Sequence, residues 1–349
     1  GELDADGNIR SSASMPAIAY SIIKDKNDDI WVGTKGAGIF ILKKTANPLK
    51  FRIEHYSHSS ADVYSLRDNC LYSIFEDHQG RMWIGTYGGG LNLVNKSNDG
   101  KLTFINHRNQ LKNYPIDVCA QVRFVTQNMG GNLCLGTTSG MLMFSPSFSS
   151  PENITFKRYT VEPGSSNCIT NNDVHGICIT RKGEMFLFTF GGGINKVTKF
   201  DKQGFPLDFK SYTRSNGLSS DVTLAMVEDE FGKLWISTEN SLTKFDPEKE
   251  VFKTFSEIRK LMISSNFSEV STCRLRNNDI IFGYSDGYLS FSPRNIVRSN
   301  FKPYIAFTNL QLFNKDVSIG EKSPLKSIVD DIQKLKLTHK QKFFNIEYA

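Results

Sequence analysis

A segment of about 50 residues recurs six times along the chain, and this period constrains the fold more than any other feature. Each copy contains a short apolar run that ends in Thr or Tyr, and a small residue precedes this last position in every copy but the fourth. The runs are IWVGT (30–34), MWIGT (82–86), LCLGT (133–137), MFLFT (185–189), LWIST (234–238) and IIFGY (280–284). Their second residues, here called the anchors, are Trp31, Trp83, Cys134, Phe186, Trp235 and Ile281, spaced 46 to 52 residues apart. This period is typical of one four-stranded β-propeller blade.

Each repeat contains signals for four short strands. In the second repeat an alternating strand, YSIFED (72–77), is followed by the tight turn HQGR and then by the anchor run. A glycine turn with a third strand, GGGLNLV (88–94), and an aromatic-rich strand, LTFINHR (102–108), complete the unit. We therefore predict an all-β fold, with β-propeller repeats over residues 1–300.

The position ten residues before each anchor supports a ring of blades. It holds Ser21, Ser73, Gly176, Ala225 and Ser271, all small, whereas the third repeat has Phe124 and is expected to carry a one-residue insertion. Small residues suit innermost strands, which converge on a narrow axis.

The last repeat lacks a fourth strand before residue 300. Residues 1–14 could supply it, or a seventh blade could lie outside the chain, and we favour a seven-bladed parent ring. Residues 301–349 show two alternating stretches around a polar loop, which predicts the first strands of a truncated β-sandwich. We expect the chain to be a fragment of a longer protein.

Composition excludes some classes of function. The net charge of +6 is small and spread along the chain, unlike the clustered Lys and Arg of a nucleic-acid site. No apolar run approaches the roughly 18 residues of a membrane span. The six cysteines form no CxxC pair, so we predict no metal site, and free thiols are favoured over one or two disulfides.

The blocks IWVGTKGAGIFILKK, MWIGTYGGGLNLVNK and LWISTENSLTKFDP resemble the two-component regulator propeller repeat. The stretch from SDGYLSFSPRNI to LKLTHKQKFFNIEYA resembles the start of the triple-tyrosine domain that follows such repeats. The combination is similar to the periplasmic sensor region of hybrid two-component systems in Bacteroidetes. The chain departs from the repeat pattern at Cys134 and Ile281, which lack the anchor aromatic, and in the shorter glycine turns of repeats three, five and six.

The resemblance implies the periplasmic ectodomain of an inner-membrane protein. Its ligand would be an oligosaccharide, and its output the transcription of glycan-use genes. The parent would be a homodimer with a transmembrane helix and a histidine kinase outside this sequence, so this region would contact the membrane only through that helix. It would itself be no enzyme, hold no cofactor and contact no nucleic acid.

The residues with the most obvious chemistry have structural explanations. Asp25, Asp77 and Asp229 recur at one register beside hairpins, which favours turn capping over a catalytic pair. Asp62, Asp173 and Asp221 recur where links meet strands and are also interpreted as caps. The glycine turns are not followed by a helix, unlike phosphate loops. A metal pair at His55 and His58 is a weak alternative.

Strand alternation places the glycine turns and the links between blades on one face, where binding groups usually lie. The residue after each anchor run varies, as a ligand surface would. We predict binding residues at these turns and in the adjoining links: Lys35, Arg67, Asn69, Tyr87, Asn172, His175, Phe190 and Glu239. The alternatives are a scaffold with an exposed patch for protein partners, and a secreted polysaccharide-degrading propeller enzyme with a cluster of Tyr, His and Arg, or paired carboxylates, on one face.

Overall fold

A computed structural model describes residues 2–3, 9–10, 17–47, 50–97, 100–256, 258, 266–296 and 305–349. The chain divides into two compact units, Gly1–Asn295 and Ile296–Ala349. Each unit is described by itself below.

The first unit contains six antiparallel sheets in chain order, one for each repeat, which we call blades 1 to 6. The anchor run forms the second strand of every blade, and the first five blades have four strands each. The β-propeller prediction is therefore confirmed. Blade 1 consists of Ala19–Lys24, Ile30–Thr34, Ile39–Lys44 and Phe51–Tyr56; blade 2 of Leu71–Glu76, Met82–Thr86, Gly90–Lys96 and Leu102–Ile105; blade 3 of Val122–Gln127, Leu133–Thr137, Gly140–Phe144 and Lys157–Tyr159; blade 4 of Val174–Ile179, Met185–Thr189, Ile194–Phe200 and Pro206–Tyr212; blade 5 of Thr223–Glu228, Leu234–Thr238, Leu242–Asp246 and Val251–Phe255; and blade 6 of Phe267–Arg274, Ile280–Tyr284 and Gly287–Phe291.

Helical structure is confined to short segments. One α-helical turn spans Ile116–Cys119, and 3-10 turns span Pro151–Asn153, Arg214–Asn216, Pro293–Asn295 and Val329–Asp331. No helix in the described ranges is long and apolar enough to cross a membrane.

The first strands of successive blades pack against one another around the axis. Ser21 Oγ accepts a hydrogen bond of 3.1 Å from the Ile74 backbone, and Ser73 Oγ accepts one of 3.0 Å from Val125. Small side chains at this position thus join neighbouring blades. The expected insertion in blade 3 is wrong, because Phe124 pairs with Gly136 in the register in which Ser21 pairs with Gly33. The larger side chain packs into the core between blades 3 and 4.

The acidic residues beside the hairpins cap their turns, as predicted. The Asp77 carboxylate accepts backbone N–H bonds from Gln79 and Arg81, and its second oxygen accepts the Trp83 indole N–H at 2.9 Å. Asp25 and Asp229 bind their own turns and the anchors Trp31 and Trp235 in the same way, again at 2.9 Å from the indole nitrogen. In each of blades 1, 2 and 5, one carboxylate thereby holds both the hairpin and the tryptophan anchor in place.

Blades without a tryptophan anchor also lack this carboxylate. Asn128 takes its place in blade 3, where the anchor is Cys134, and its side chain still accepts the Asn132 N–H. Thr180 does so in blade 4, accepting the Glu184 N–H. Blade 6 has Leu275 there. The acid is thus present where an indole N–H must be satisfied inside the core.

Blades 1 and 6 expose the sheet faces that point away from their neighbours. On blade 1 Ile22 is 67% exposed and Ile53 58%, and on blade 6 Tyr288 is 67% exposed. Glu2–Leu3 and Ile9–Arg10 pair with each other and do not extend blade 6. The remainder of residues 1–14 lies outside the described residues. A seven-bladed parent ring stays a prediction.

The second unit contains a three-stranded antiparallel sheet of Phe307–Leu312, Lys315–Asp316 and Phe344–Tyr348. Leu310 pairs with Ile346, and this apolar face is covered in part by Leu325, Val329 and Ile332.

Candidate functional site at the glycine-turn face

A β-bulge interrupts the first strand of blades 1 to 5 at the same point, just below the glycine turns. The pairing with the second strand skips one residue, and bulges of this kind redirect a side chain. The skipped residues are Tyr20, Tyr72, Arg123, His175 and Leu224. The side chains at this position differ in chemistry from blade to blade, whereas the β-bulge itself recurs. Because the first strands surround the central axis of the propeller, the bulges place one side chain from each of blades 1 to 5 near the end of this axis.

Several of these residues form one connected cluster with residues of the glycine turns and links. We call this cluster the mouth. It consists of Tyr20, Lys35, Tyr72, Tyr87, Arg123, Asp173, His175, Phe190 and Glu269.

A row of three tyrosines forms one side of the mouth. The Tyr20 and Tyr72 rings meet edge to face with centroids 4.6 Å apart, and Tyr72 stacks on Tyr87 at 4.5 Å. Lys35 Nζ lies 5.5 Å from the Tyr20 centroid, and the Arg123 guanidinium lies 5.5 Å from that of Tyr87. Burial, reinforced by Tyr20, Tyr87 and Glu269, raises the pKa of Tyr72 above its usual range, so this phenol stays protonated.

Arg123 joins three blades at the centre of the mouth. Its guanidinium donates two hydrogen bonds to the Asp173 carboxylate, at 2.7 and 3.1 Å. A third bond, of 2.7 Å, reaches Glu269 in blade 6, 146 residues away in sequence. Burial disfavours the charge on Arg123, but these two carboxylates outweigh it and raise its pKa. The side chain of Arg123 is only 10% exposed, but those of Asp173 and Glu269 are 26% and 43% exposed, so solvent screens the pairs in part.

His175 lies opposite the tyrosine row and is fully buried. Its ring lies 5.3 Å from that of Phe190, which is 47% exposed. Neither ring nitrogen has a hydrogen-bond partner of good geometry among the described residues. Burial and then Arg123 lower the His175 pKa, and they outweigh the opposite influence of Glu269, Asp173 and the Thr223 backbone. The ring is therefore neutral at pH 7 and offers one donor and one acceptor.

The structure brings four of the eight predicted binding residues into the mouth, namely Lys35, Tyr87, His175 and Phe190. Asn69 and Asn172 instead join links to glycine turns. The Asn69 carbonyl accepts the N–H groups of Gly36 and Gly38, and its side chain accepts that of His58. In a similar way, the Asn172 carbonyl accepts the N–H group of Gly140, and the Asn172 side chain accepts that of Val161. Arg67 lies against Gly89, and Glu239 is exposed on the blade 5 turn.

Five residues of the mouth escaped the sequence prediction: Tyr20, Tyr72, Arg123, Asp173 and Glu269. The first three lie eleven residues before an anchor, next to the small position that was used to recognise the inner strand. Variation at that neighbouring position was a usable signal. Asp173, interpreted as a cap, binds Arg123 instead, whereas Asp62 caps its loop by accepting the Tyr64 N–H. Asp221 accepts the Arg214 N–H within its link.

The glycines of the glycine turns are required by the conformation of the backbone. Gly193 has φ +68°, and a Cβ there would lie 2.2 Å from the Tyr212 carbonyl oxygen, so only glycine fits. The Thr189 hydroxyl closes this turn by donating to the Gly193 carbonyl at 3.0 Å. This pairing explains the threonine that recurs at the end of the anchor runs.

Other reactive side chains have local partners. His55 and His58 bind different carbonyls, those of Ala37 and Leu66. No group of three metal-ligating side chains occurs in the described ranges. All six cysteines are free, and Cys119 and Cys134 are buried. Burial raises the pKa of the Cys134 thiol to about 12, which makes it a poor nucleophile at pH 7.

A shallow groove of about 340 Å³ lies apart from the mouth, on the opposite face between blades 3 and 4. Phe148 and Phe205 line it together with Asp201 and Gln203. The Asp201 carboxylate is occupied in capping its own turn.

His175 should make stability fall in mild acid. Its pKa in the folded state lies below the unfolded value of 6.5, so below about pH 6.5 the unfolded chain takes up a proton that the folded chain does not. His175→Phe should reduce the loss of urea midpoint between pH 7 and pH 5. Some loss should remain, because burial and Arg67 also lower the His107 pKa. His339→Gln, an exposed control, should behave as wild type. An unchanged pH dependence in His175→Phe would contradict a neutral, buried ring.

Residues 65–88 and 216–240 match the family described as two component regulator propeller. The chain is also 21% identical over 330 residues to Histidine kinase P4 of Formosa agariphila, covering 94% of this chain but 23% of that protein. The chain thus spans about a quarter of the length of that curated relative.

Solved structures that align with TM-scores above 0.5 share the fold. A virginiamycin B lyase from Staphylococcus aureus, in a catalytically inactive form with quinupristin, aligns with TM-score 0.55 at 15% identity, covering 82% of this chain and 85% of that one. The extracellular domain of a hybrid two-component system from B. thetaiotaomicron aligns with TM-score 0.47 at 19% identity, covering 97% of this chain and 47% of that one. The two matched segments contain the first two strands of blade 2 and of blade 5, and these two segments match the two-component regulator propeller repeat.

Proposed function

We propose that this chain is the ligand-sensing part of a two-component sensor and that it binds an oligosaccharide at the mouth. The observation that carries the proposal is the arrangement of an aromatic row opposite a buried, unpartnered histidine, with an Arg–carboxylate network between them. Sugars stack their apolar faces on aromatic rings and satisfy their hydroxyls with planar polar groups. The tyrosine row offers the first kind of contact, and the partly exposed carboxylates of Asp173 and Glu269 offer the second.

The wider role follows from the repeats and from the kinase relative. We place this region in the periplasm, as the ectodomain of an inner-membrane homodimer whose histidine kinase lies elsewhere and controls genes for glycan use. Residues 301–349 would begin a triple-tyrosine domain that transmits the signal. The apolar sheet face around Leu310 and Ile346 suits a sheet with further strands to pack on.

The proposal is tested by calorimetric titration of the 349-residue chain with defined plant, fungal and host oligosaccharides. We expect saturable binding of one glycan class, and a loss of about tenfold or more in affinity in Tyr87→Ala and in Phe190→Ala. Tyr288→Ala removes an exposed tyrosine from blade 6 and should bind as wild type. No binding across the panel by a folded chain would refute the glycan proposal, and binding that is unaffected by both mouth variants would refute the site.

A second candidate is an enzyme, because the mouth does gather Tyr, His and Arg on one face, as a polysaccharide-degrading propeller would. Three features count against it. Asp173 and Glu269 are both engaged by one guanidinium, the Tyr72 pKa is raised away from neutrality, and His175 has no partner to orient it as a base. Chromatography of each bound glycan after long incubation tests this, and cleavage that His175→Phe abolishes would establish the enzyme.

A further inference from the structure

A second group of cationic and donor side chains lies away from the mouth, around the glycine turn of blade 2. It consists of Arg67, from the link before that blade, and His107 and Arg108, from the link after it. A Cβ on Gly89 would lie 2.4 Å from the Arg67 Cβ, so Arg67 packs directly against the turn. His107 interacts with the backbone of the same glycine.

Two nitrogens of the Arg67 guanidinium are buried without an acceptor. Arg67 is partly buried, but its Nε and Nη1 atoms are inaccessible to solvent and make no hydrogen bond to any described residue. Arg67 and Arg108 form no ion pair among the described residues. Buried guanidinium N–H groups without an acceptor are unfavourable, since arginine does not deprotonate in proteins and its charge requires a partner.

His107 adds a second unsatisfied group. Its Nδ1 is also inaccessible and without a partner in the described part of the chain. Burial, Arg67 and Arg108 act together to lower the His107 pKa, whereas the carboxylate that raises it, Asp117, has a weaker influence. The Arg67 pKa is lowered by burial and by Arg108. The surroundings are therefore positive in sum, although the Gly89 backbone and Asp117 act in the opposite sense on His107.

We propose that a single small oxyanion binds between Arg67 and His107, beneath the glycine turn of blade 2. A carboxylate, sulfate or phosphate would accept the free N–H groups of the guanidinium and neutralise the charge that the fold leaves unpaired. The anion would also join the two links that flank blade 2. This site is independent of oligosaccharide binding at the mouth.

The test compares sulfate, phosphate and acetate in separate titrations of the 349-residue chain. Ionic strength is held constant with sodium chloride, and binding is followed by calorimetry and by the thermal midpoint. We expect at least one oxyanion to bind saturably and to raise the midpoint above the chloride baseline. The most effective of the three anions distinguishes a carboxylate from a sulfate or phosphate group.

Arg67→Gln should weaken that binding by about tenfold or more and abolish the rise in midpoint, because the bidentate partner is gone. Arg276→Gln, which removes an exposed arginine, should respond as wild type. His107→Gln provides a second variant if Arg67→Gln does not fold, and it should also bind more weakly. Wild-type protein that responds to all three oxyanions as it does to chloride, or an unchanged response in the Arg67 or His107 variants, would overturn the proposal.

Discussion

Asp77→Ala should lower the free energy of unfolding by about 3–5 kcal/mol, because one carboxylate holds the blade 2 hairpin and its anchor together. The side chain of Asp77 is fully buried. Its loss would leave the Trp83 indole N–H and two backbone N–H groups without an acceptor, and would unpair Arg81, whose Nε lies 2.6 Å from the carboxylate. Urea denaturation at pH 7 measures the effect.

The matched variants separate charge from shape. Asp77→Asn keeps one acceptor oxygen for the hairpin but turns an N–H group toward the indole, so its loss should be smaller than that of Asp77→Ala. Asp286→Ala, at an exposed turn, should stay within about 0.5 kcal/mol of wild type. An Asp77→Ala protein as stable as this control would show that the hairpin and the indole do not depend on the acid.

The Asp77 prediction also carries a pH dependence. Burial opposes ionisation of this carboxyl, but the bonds from Trp83 and Arg81 outweigh it and lower its pKa below 3.8. Its stabilising effect is therefore present at neutral pH and is lost as the pH falls below about 4. The difference between wild type and Asp77→Ala should narrow over the same range.

Local rules account for most of what the sequence predicted correctly. Strand alternation, the turn chemistry of Asp25 and Asp77, and the small inner positions all depend on neighbours within one blade. The hydrogen bond from the tryptophan indole to the aspartate carboxylate could also have been predicted, because Asp and Trp recur six residues apart and are absent together from blades 3, 4 and 6. Phe124 departs from the pattern of small residues because the core between blades 3 and 4 accommodates its larger side chain.

The mouth was predictable only in part. Tyr87 and Phe190 follow the anchor runs, so their place on the glycine-turn face followed from strand direction. The partnership of Arg123 with Glu269 spans 146 residues and depends on how the ring brings blades 3 and 6 together, which no local pattern encodes. A binding role for Asn69 stays a prediction, and the contact that the structure gives it is made mainly by its backbone carbonyl, which any residue could have supplied.

Arg123→Gln should disturb the mouth more than any other single change, and its effect on His175 has a defined sign. Arg123 lowers the pKa of His175, whereas Glu269 and Asp173 raise it. Removing the cation leaves both carboxylates to act on the ring, so the His175 pKa should rise in Arg123→Gln. Glu269→Gln removes one of the opposing charges and should lower it. NMR titration of the histidine ring protons in the two variants measures both shifts.

The same pair of variants links electrostatics to binding. Without Arg123 the Asp173 and Glu269 carboxylates face each other without a cation, and we expect a loss of about 1–2 kcal/mol in stability, since both acids are partly exposed and screened by solvent. If a glycan binds at the mouth, its affinity should fall by about tenfold or more in Arg123→Gln. Glu269→Gln should have a smaller effect, because Arg123 keeps its two bonds to Asp173.

Shifts of the His175 pKa in the same direction in both variants would show that Arg123 and Glu269 do not oppose each other at the ring. Such a result would remove the basis for treating the mouth as one electrostatic unit.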